Sequence, residues 1–195
     1  MGTNKFDGIK QLTYLDAKNE IRTGDLLFCD GHYMVSELIK KVSNSRFSHV
    51  GLMFHWNDRL LLFESVEDDG VRIVPLSHYL YNYENSGAKY NGTLYAGRHN
   101  GMASLTDQGG INNMLGKAAD LLNRSYDKNE IARIVARIGL GVGRHTDNDE
   151  YTCSEFIEEC YKQLKIIFSF ENKGFIYPEH IAADPNVEAL FEITP

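Results

Sequence analysis

The spacing of the apolar residues changes partway along the chain, and that change narrows the folds open to it. Up to Arg98 they gather in short runs. Gly24-Asp25-Leu26-Leu27-Phe28-Cys29, opened by a Gly-Asp turn and closed by Asp30-Gly31, predicts a buried strand. Val50 to Phe54 and Leu60 to Phe63 predict two antiparallel strands reversing around Asn57-Asp58. Val71 to Val74 and Gly92 to Arg98 add two more, so four or five strands occupy the first half, interrupted by a short helix over Met34 to Val42. Beyond Arg98 the spacing becomes helical. Ile111, Met114, Leu115, Ala118, Leu121 and Leu122 predict an amphipathic helix ending near Asn123, and Ile131, Ile134, Val135 and Ile138 predict a second, with Arg133 and Arg137 on its polar face. Gly139, Gly141, Gly143 and the polar stretch Arg144 to Glu150 lead to a third, with Phe156, Ile157, Cys160, Leu164 and Ile167 on one side. Strands first and helices after predict an α+β fold. No repeat or long linker divides the 195 residues, so one domain over 1–195 is expected.

Charge narrows the partners. With 20 basic and 27 acidic side chains the net charge is -7, opposite in sign to the footprint of a nucleic-acid binder, so no nucleic-acid partner is expected. The apolar runs, such as Leu60 to Phe63, fall far short of the roughly 18 residues that cross a bilayer, so no stable membrane insertion is expected. Met1 to Gln11 lacks the apolar segment of a secretion signal, which favours a cytoplasmic location for the sequence as given, an exported mature form being the alternative. Cys29, Cys153 and Cys160 lack Cys-x-x-Cys spacing and are read as free thiols. The histidines show no metal-ligand spacing, and Gly139, Gly141 and Gly143 lack the pattern of a dinucleotide loop, so neither metal nor cofactor is expected.

Three positions carry chemistry. In Tyr151-Thr152-Cys153-Ser154-Glu155, Thr152 and Glu155 have capping-box spacing, which places Cys153 in the first turn of a helix. There the backbone N–H groups and the helix dipole favour a thiolate and can hold an oxyanion. The alternative is a small apolar residue on the buried stripe with Phe156 and Ile157. Cys160 lies inside the helix and Cys29 ends a strand beside Asp30, so both read as structural. His49 opens the first hairpin strand. If Trp56 pairs with Arg59, His49 opposes Val66 and lies diagonal to Glu64 on the same face, and a two-residue slip sets the two directly opposite. Either register lets Glu64 orient the imidazole. Tyr151 reads equally as an oxyanion donor or as a hydrophobic staple, and Glu155 is explained by the capping box alone. Arg98 is either a solvated strand end or a binder of a substrate carboxylate.

Gly24-Asp25-Leu26-Leu27-Phe28, Ser48-His49-Val50-Gly51-Leu52 and Phe63-Glu64-Ser65 resemble successive motifs of the NlpC/P60 cysteine peptidases. Tyr151-Thr152-Cys153-Ser154-Glu155-Phe156 follows the histidine instead of preceding it, so the order resembles the circularly permuted YiiX/YebB-like branch. Tyr126-Asp127 and Tyr177-Pro178-Glu179-His180-Ile181 complete the set, with a core of about 23–181. The resemblance implies a permuted papain-like fold, a small antiparallel sheet packed against the cysteine helix. It places the nucleophile on Cys153, the base on His49 and the orienting residue on Glu64, with Tyr151 and Ser154 near the oxyanion.

The expected activity is therefore cysteine-dependent hydrolysis, through an acyl-enzyme, of an amide in a small peptide with a free amino-acid end, such as a cell-wall stem peptide. Lipid acyl hydrolysis or transfer, as in relatives of lecithin:retinol acyltransferase, is the alternative, and a catalytically silent binding module is a third.

Overall fold

The computed structural model describes residues 2–33, 36–37, 40–41, 44–102, 108–126, 151–169 and 176–195. Strands β1 (Gln11–Thr13), β2 (Leu26–Gly31), β3 (His49–Trp56), β4 (Arg59–Val66), β5 (Gly70–Pro75), β6 (Gly92–His99) and β7 (Val187–Thr194) form one sheet in the order β1-β7-β6-β2-β3-β4-β5. Every pairing is antiparallel except β1 with β7. Helices α1 (Tyr14–Glu20), α2 (Leu76–Tyr81), α3 (Gln108–Asp120), α4 (Cys153–Lys162) and α5 (Pro178–Ala183) pack on it.

Alternation along the strands sends successive side chains into two cores. Leu26, Phe28, Val50, Leu52 and Phe63 join Met114, Ala118, Phe156, Ile157 and Ile181 beneath α3, α4 and α5. Leu27, Cys29, Met53, Leu60 and Leu62 join Ala17, Leu76, Tyr79 and Leu80 beneath α1 and α2. The sheet is thus buried on both faces, and each fully buried large apolar side chain contributes about 1.5–3 kcal/mol.

The expected strands of the first half and the hairpin are present. Trp56 pairs with Arg59 around Asn57-Asp58, and Asn57 takes the left-handed conformation (φ 52) that such a tight loop requires. Three features differ from expectation. β1 and β7 enlarge the sheet beyond the four or five strands expected. The alternation of β7 is broken by a bulge where Ala96 faces Phe191 but Gly97 faces Ala189, which blurs its period in the sequence. The cysteine helix also stops at Lys162, before Leu164 and Ile167, because Lys165 turns left-handed (φ 59); Ile167 is left 72% exposed. Of the helix expected over Met34 to Val42, Ser36, Glu37, Lys40 and Lys41 are helical, while its five apolar positions lie outside the described residues. The helix expected over Ile131 to Ile138, the three glycines after it and Asp127 lie outside them too.

The Gly24-Asp25 turn is a structural latch. Gly24 has φ +100, and a Cβ there would lie 2.2 Å from Met102. Asp25 is buried, accepts Arg98 Nε at 2.7 Å and Nη2 at 2.6 Å, and accepts the Arg22 N–H at 2.8 Å. Arg98, with only 16% of its side chain exposed, is therefore not a freely solvated strand end, nor is it free to take a ligand: Asp25 engages Nε and Nη2, and the Glu20 carbonyl accepts a further bond from Nη2.

Candidate active site

Helix α4 begins as its sequence predicts. Thr152 is extended (φ -70, ψ 165), its Oγ1 accepts the Glu155 N–H, and the Glu155 carboxylate accepts the Thr152 N–H and hydroxyl, each at 2.9 Å. The box occupies the third N–H of the helix. Those of Cys153 and Ser154, the first two helical positions, have no acceptor within the helix, so they form a positive pole beside the thiol.

Sheet topology explains how this thiol meets a histidine. Beyond the Leu52–Phe63 pair, β3 continues to pair with β2 and β4 with β5, so the two central strands part. Helix α4 packs on both of them at this point. The Val50 N–H donates to Cys153 Sγ, and His49 is hydrogen-bonded to the same sulfur. His49 Nε2 donates to Glu64 Oε2 at 2.9 Å, which leaves Nδ1 as the ring nitrogen for the thiol.

Glu64 is fully buried and all its partners are donors. Oε2 also accepts the Tyr79 hydroxyl at 2.6 Å, and Oε1 accepts Arg72 Nε at 2.9 Å. Burial alone would raise the carboxyl, yet the hydrogen bond and charge of His49, the charge of Arg72 and the Tyr79 hydroxyl hold it below the usual carboxylate value. Burial likewise opposes charge on His49, but its bonds to Cys153 and Glu64 and their negative charges carry the imidazolium up to about 10. For Cys153, the hydrogen bond and charge of His49 outweigh burial and bring the thiol down. The arrangement favours a thiolate–imidazolium pair backed by a carboxylate. Burial does the opposite to Cys29 and Cys160, whose thiols are pushed well up.

The five residues singled out in the sequence fall in one place with different surroundings. Cys153, His49 and Glu64 form a continuous hydrogen-bonded chain. Ser154 is buried, with Oγ 3.9 Å from the thiol sulfur. Tyr151 is fixed through its backbone, its N–H donating to Ser125 O at 3.1 Å and its carbonyl accepting the Ser65 hydroxyl at 2.6 Å, while the ring packs on the core beneath α4. That core contact favours the staple.

Three supporting residues escaped the sequence reading. Arg72 is marked only by register, directly across from Glu64. Tyr79 comes from α2, for which no spacing was apparent. Glu179, noted only as part of a motif, accepts the Arg46 N–H at 2.9 Å and the Ser45 hydroxyl at 3.2 Å, tying down the turn that leads into His49. A cavity of about 390 Å³ opens beside His49. Tyr33, Tyr83, Tyr90 and Tyr126 line it together with Glu67 and Asp68, and among the described lining residues Val66 is the sole aliphatic side chain.

Among the described residues no group of three or more His, Cys, Asp or Glu side chains is placed to hold a metal ion, and no helix is long and apolar enough to cross a membrane. A strand histidine meeting a cysteine at a helix start, in that chain order, defines a permuted papain-like fold. Residues 20–174 match the model of the permuted papain-like amidase enzymes YaeF/YiiX, the C92 family, and the chain belongs to that family. It is accordingly a hydrolase of the amidase kind. The crystal structure of metalloprotein yiiX from Escherichia coli O157:H7 is similar, with a TM-score of 0.65 over 89% of this chain and 98% of that one; at 16% identity this likeness shows the fold. Comparison with curated protein sequences gives no match.

Proposed function

We propose that this chain is a cysteine amidase that cleaves an amide bond in a small peptide with a free amino-acid end, of the kind found in cell-wall stem peptides. The observation that carries the reading is the hydrogen-bonded chain from Cys153 through His49 to the buried Glu64 at a helix N-terminus.

In this reading the Cys153 thiolate adds to the substrate carbonyl, and the oxyanion is held by the Cys153 and Ser154 N–H groups. The C–N bond breaks as the His49 imidazolium gives its proton to the departing amine. Neutral His49 then takes a proton from water, hydroxide adds to the thioester, and the C–S bond breaks to release the acid and restore the thiolate. Glu64 keeps the imidazole turned with one nitrogen toward sulfur throughout.

Among the described lining residues the cavity presents tyrosines and carboxylates with a single aliphatic side chain, Val66, which favours a peptide over an acyl chain. A metal, as the description of the E. coli relative as a metalloprotein implies for that protein, does not fit these residues. Both Glu64 oxygens accept hydrogen bonds from Arg72, Tyr79 and His49, so the cluster offers a metal one sulfur and one ring nitrogen, too few for a zinc-type site.

The test is mass-spectrometric detection of products from two panels, short peptides that include a wall stem peptide and medium-chain acyl esters, with wild type and Cys153→Ser. Peptide cleavage by wild type and its loss in Cys153→Ser is the expected result. Turnover of the esters alone would move the assignment to lipid acyl chemistry.

A further inference from the structure

Glu64 is a carboxylate with no exposure to water, so what surrounds it decides whether it is an anion and where it points. His49 supplies one hydrogen bond, to Oε2. The remaining acceptor sites are met from two other elements. On β5, Arg72 faces Glu64 in register and donates through Nε to Oε1; its two terminal nitrogens are held by Asp69 and Glu84, so the guanidinium is fixed at three corners. On α2, the Tyr79 hydroxyl donates to Oε2, the oxygen that His49 uses.

We propose that Arg72 and Tyr79 are positioning residues of the amidase, holding the Glu64 carboxylate in the one orientation from which it pairs with His49 and acting on the reaction only through Glu64. This rests on the assignment of Cys153 and His49 as nucleophile and base. The two residues do different work. Arg72 fixes the rotation of the carboxylate by taking the oxygen that His49 leaves, and it supplies the cation that favours a buried anion. Tyr79 shares the reacting oxygen and so limits its basicity, which keeps the proton on His49 instead of on Glu64.

The other titratable groups that Glu64 influences are Tyr83 and Cys29, and burial pushes both up, so they stay neutral. Among the described residues, the charges that act most strongly on Glu64 are those of His49 and Arg72. Removing the Arg72 bond therefore weakens the anion at Glu64, lowers the proton affinity of His49, and lets the Cys153 thiol rise.

The pH dependence of Cys153 alkylation by iodoacetamide reads this out without a substrate. Wild type should label at Cys153 with a midpoint below that of an ordinary thiol, while Cys29 and Cys160 stay inert. A hydrogen bond to a charged group is worth about 1.5–3 kcal/mol, or about one to two pH units at the group itself. Arg72→Met should accordingly raise the Cys153 midpoint by about half a unit or more. Arg72→Lys, which keeps the charge but not the planar fork, should give a smaller rise, and Tyr79→Phe a rise of a few tenths. Because Arg72→Met leaves three carboxylates without their cation, the lysine and phenylalanine variants decide the matter if it does not fold, with far-UV circular dichroism as the check. Raised midpoints in these folded variants support the proposal. Wild-type midpoints in both overturn it while leaving the nucleophile and base in place. A wild-type Cys153 that titrates as an ordinary thiol overturns both readings.

Discussion

Asp25, in the turn before β2, and Glu64, on β4, are both buried carboxylates paired with an arginine from a strand, yet only Glu64 is also hydrogen-bonded to a histidine. Asp25 directs its oxygens to the Arg98 guanidinium and a backbone N–H, groups that keep their protons at any physiological pH. The result is a latch between the Gly24 turn and β6. Glu64 gives its arginine one oxygen and a histidine the other. A buried acid becomes functional when one of its partners can exchange a proton near neutrality, and its burial then makes that exchange sensitive to every other donor it has.

Substitutions sharpen this contrast, beginning with the largest effect. Cys153→Ala should lower kcat/KM for the best peptide substrate on the order of 10³-fold or more with the fold retained, as seen by circular dichroism. Glu64→Gln should cost about 10- to 100-fold in kcat/KM and raise the pH midpoint of Cys153 alkylation. Asp25→Asn should instead lower folding stability by about 2 kcal/mol in urea titration, since it weakens a charge-assisted pair whose arginine is partly solvated, and should leave the alkylation profile of Cys153 unmoved. A shifted profile in Asp25→Asn would erase the distinction between the two acids.

Stability against pH provides a further test, because the thiol–imidazole pair links to folding from both sides. The raised value of His49 adds stability that is complete below 6.5 and is lost as pH rises toward about 10. The lowered value of Cys153 adds stability that is complete above 9.0 and is lost as pH falls through its folded value. Where the folded chain holds the ion pair, above both 6.5 and the folded value of Cys153 and up to 9.0, folded and unfolded states each bind one proton and the two slopes cancel. Thermal unfolding of wild type should show a level contribution from this pair across that window. In Cys153→Ala the thiol slope is gone and His49 keeps only the bond and charge of Glu64 against burial, so the decline with rising pH should be smaller than the full rise of His49 would give. The smallest effect concerns Tyr151. As a staple, Tyr151→Phe should change kcat by less than about threefold, whereas loss of an oxyanion donor costs about 10²- to 10³-fold.

The residues of the hydrogen-bonded chain were legible in the sequence because each carries a local signal: a capping box at the helix start for Cys153, a strand start and a hairpin with a two-residue loop for His49, and an apolar run ending in a carboxylate for Glu64. Of the two hairpin registers left open, the one with Trp56 opposite Arg59 is observed, but the parting of β3 from β4 that admits the thiol is a tertiary event with no local mark. Arg72 and Tyr79 were hidden for the same reason, since their importance depends on a facing strand and on a helix of six residues. Arg98 shows the converse. A strand-end arginine looks solvated until the distant Asp25 is brought beside it, and β7 escaped notice because its bulge spoils the alternation by which strands are recognised.

The position of β7 also bears on how the molecule comes into being. It follows every other element in the chain, yet it lies inside the sheet between β6 and β1. During synthesis β1 therefore emerges with no strand to pair with, and its ladder closes only once the distant β7 has been made. His49 and Glu64 likewise leave the ribosome well before Cys153, so a nascent chain carries this histidine and carboxylate without the thiol. Pairings so remote in sequence slow folding, and the contact between Cys153 and His49 forms only after the long stretch of chain between them has been made.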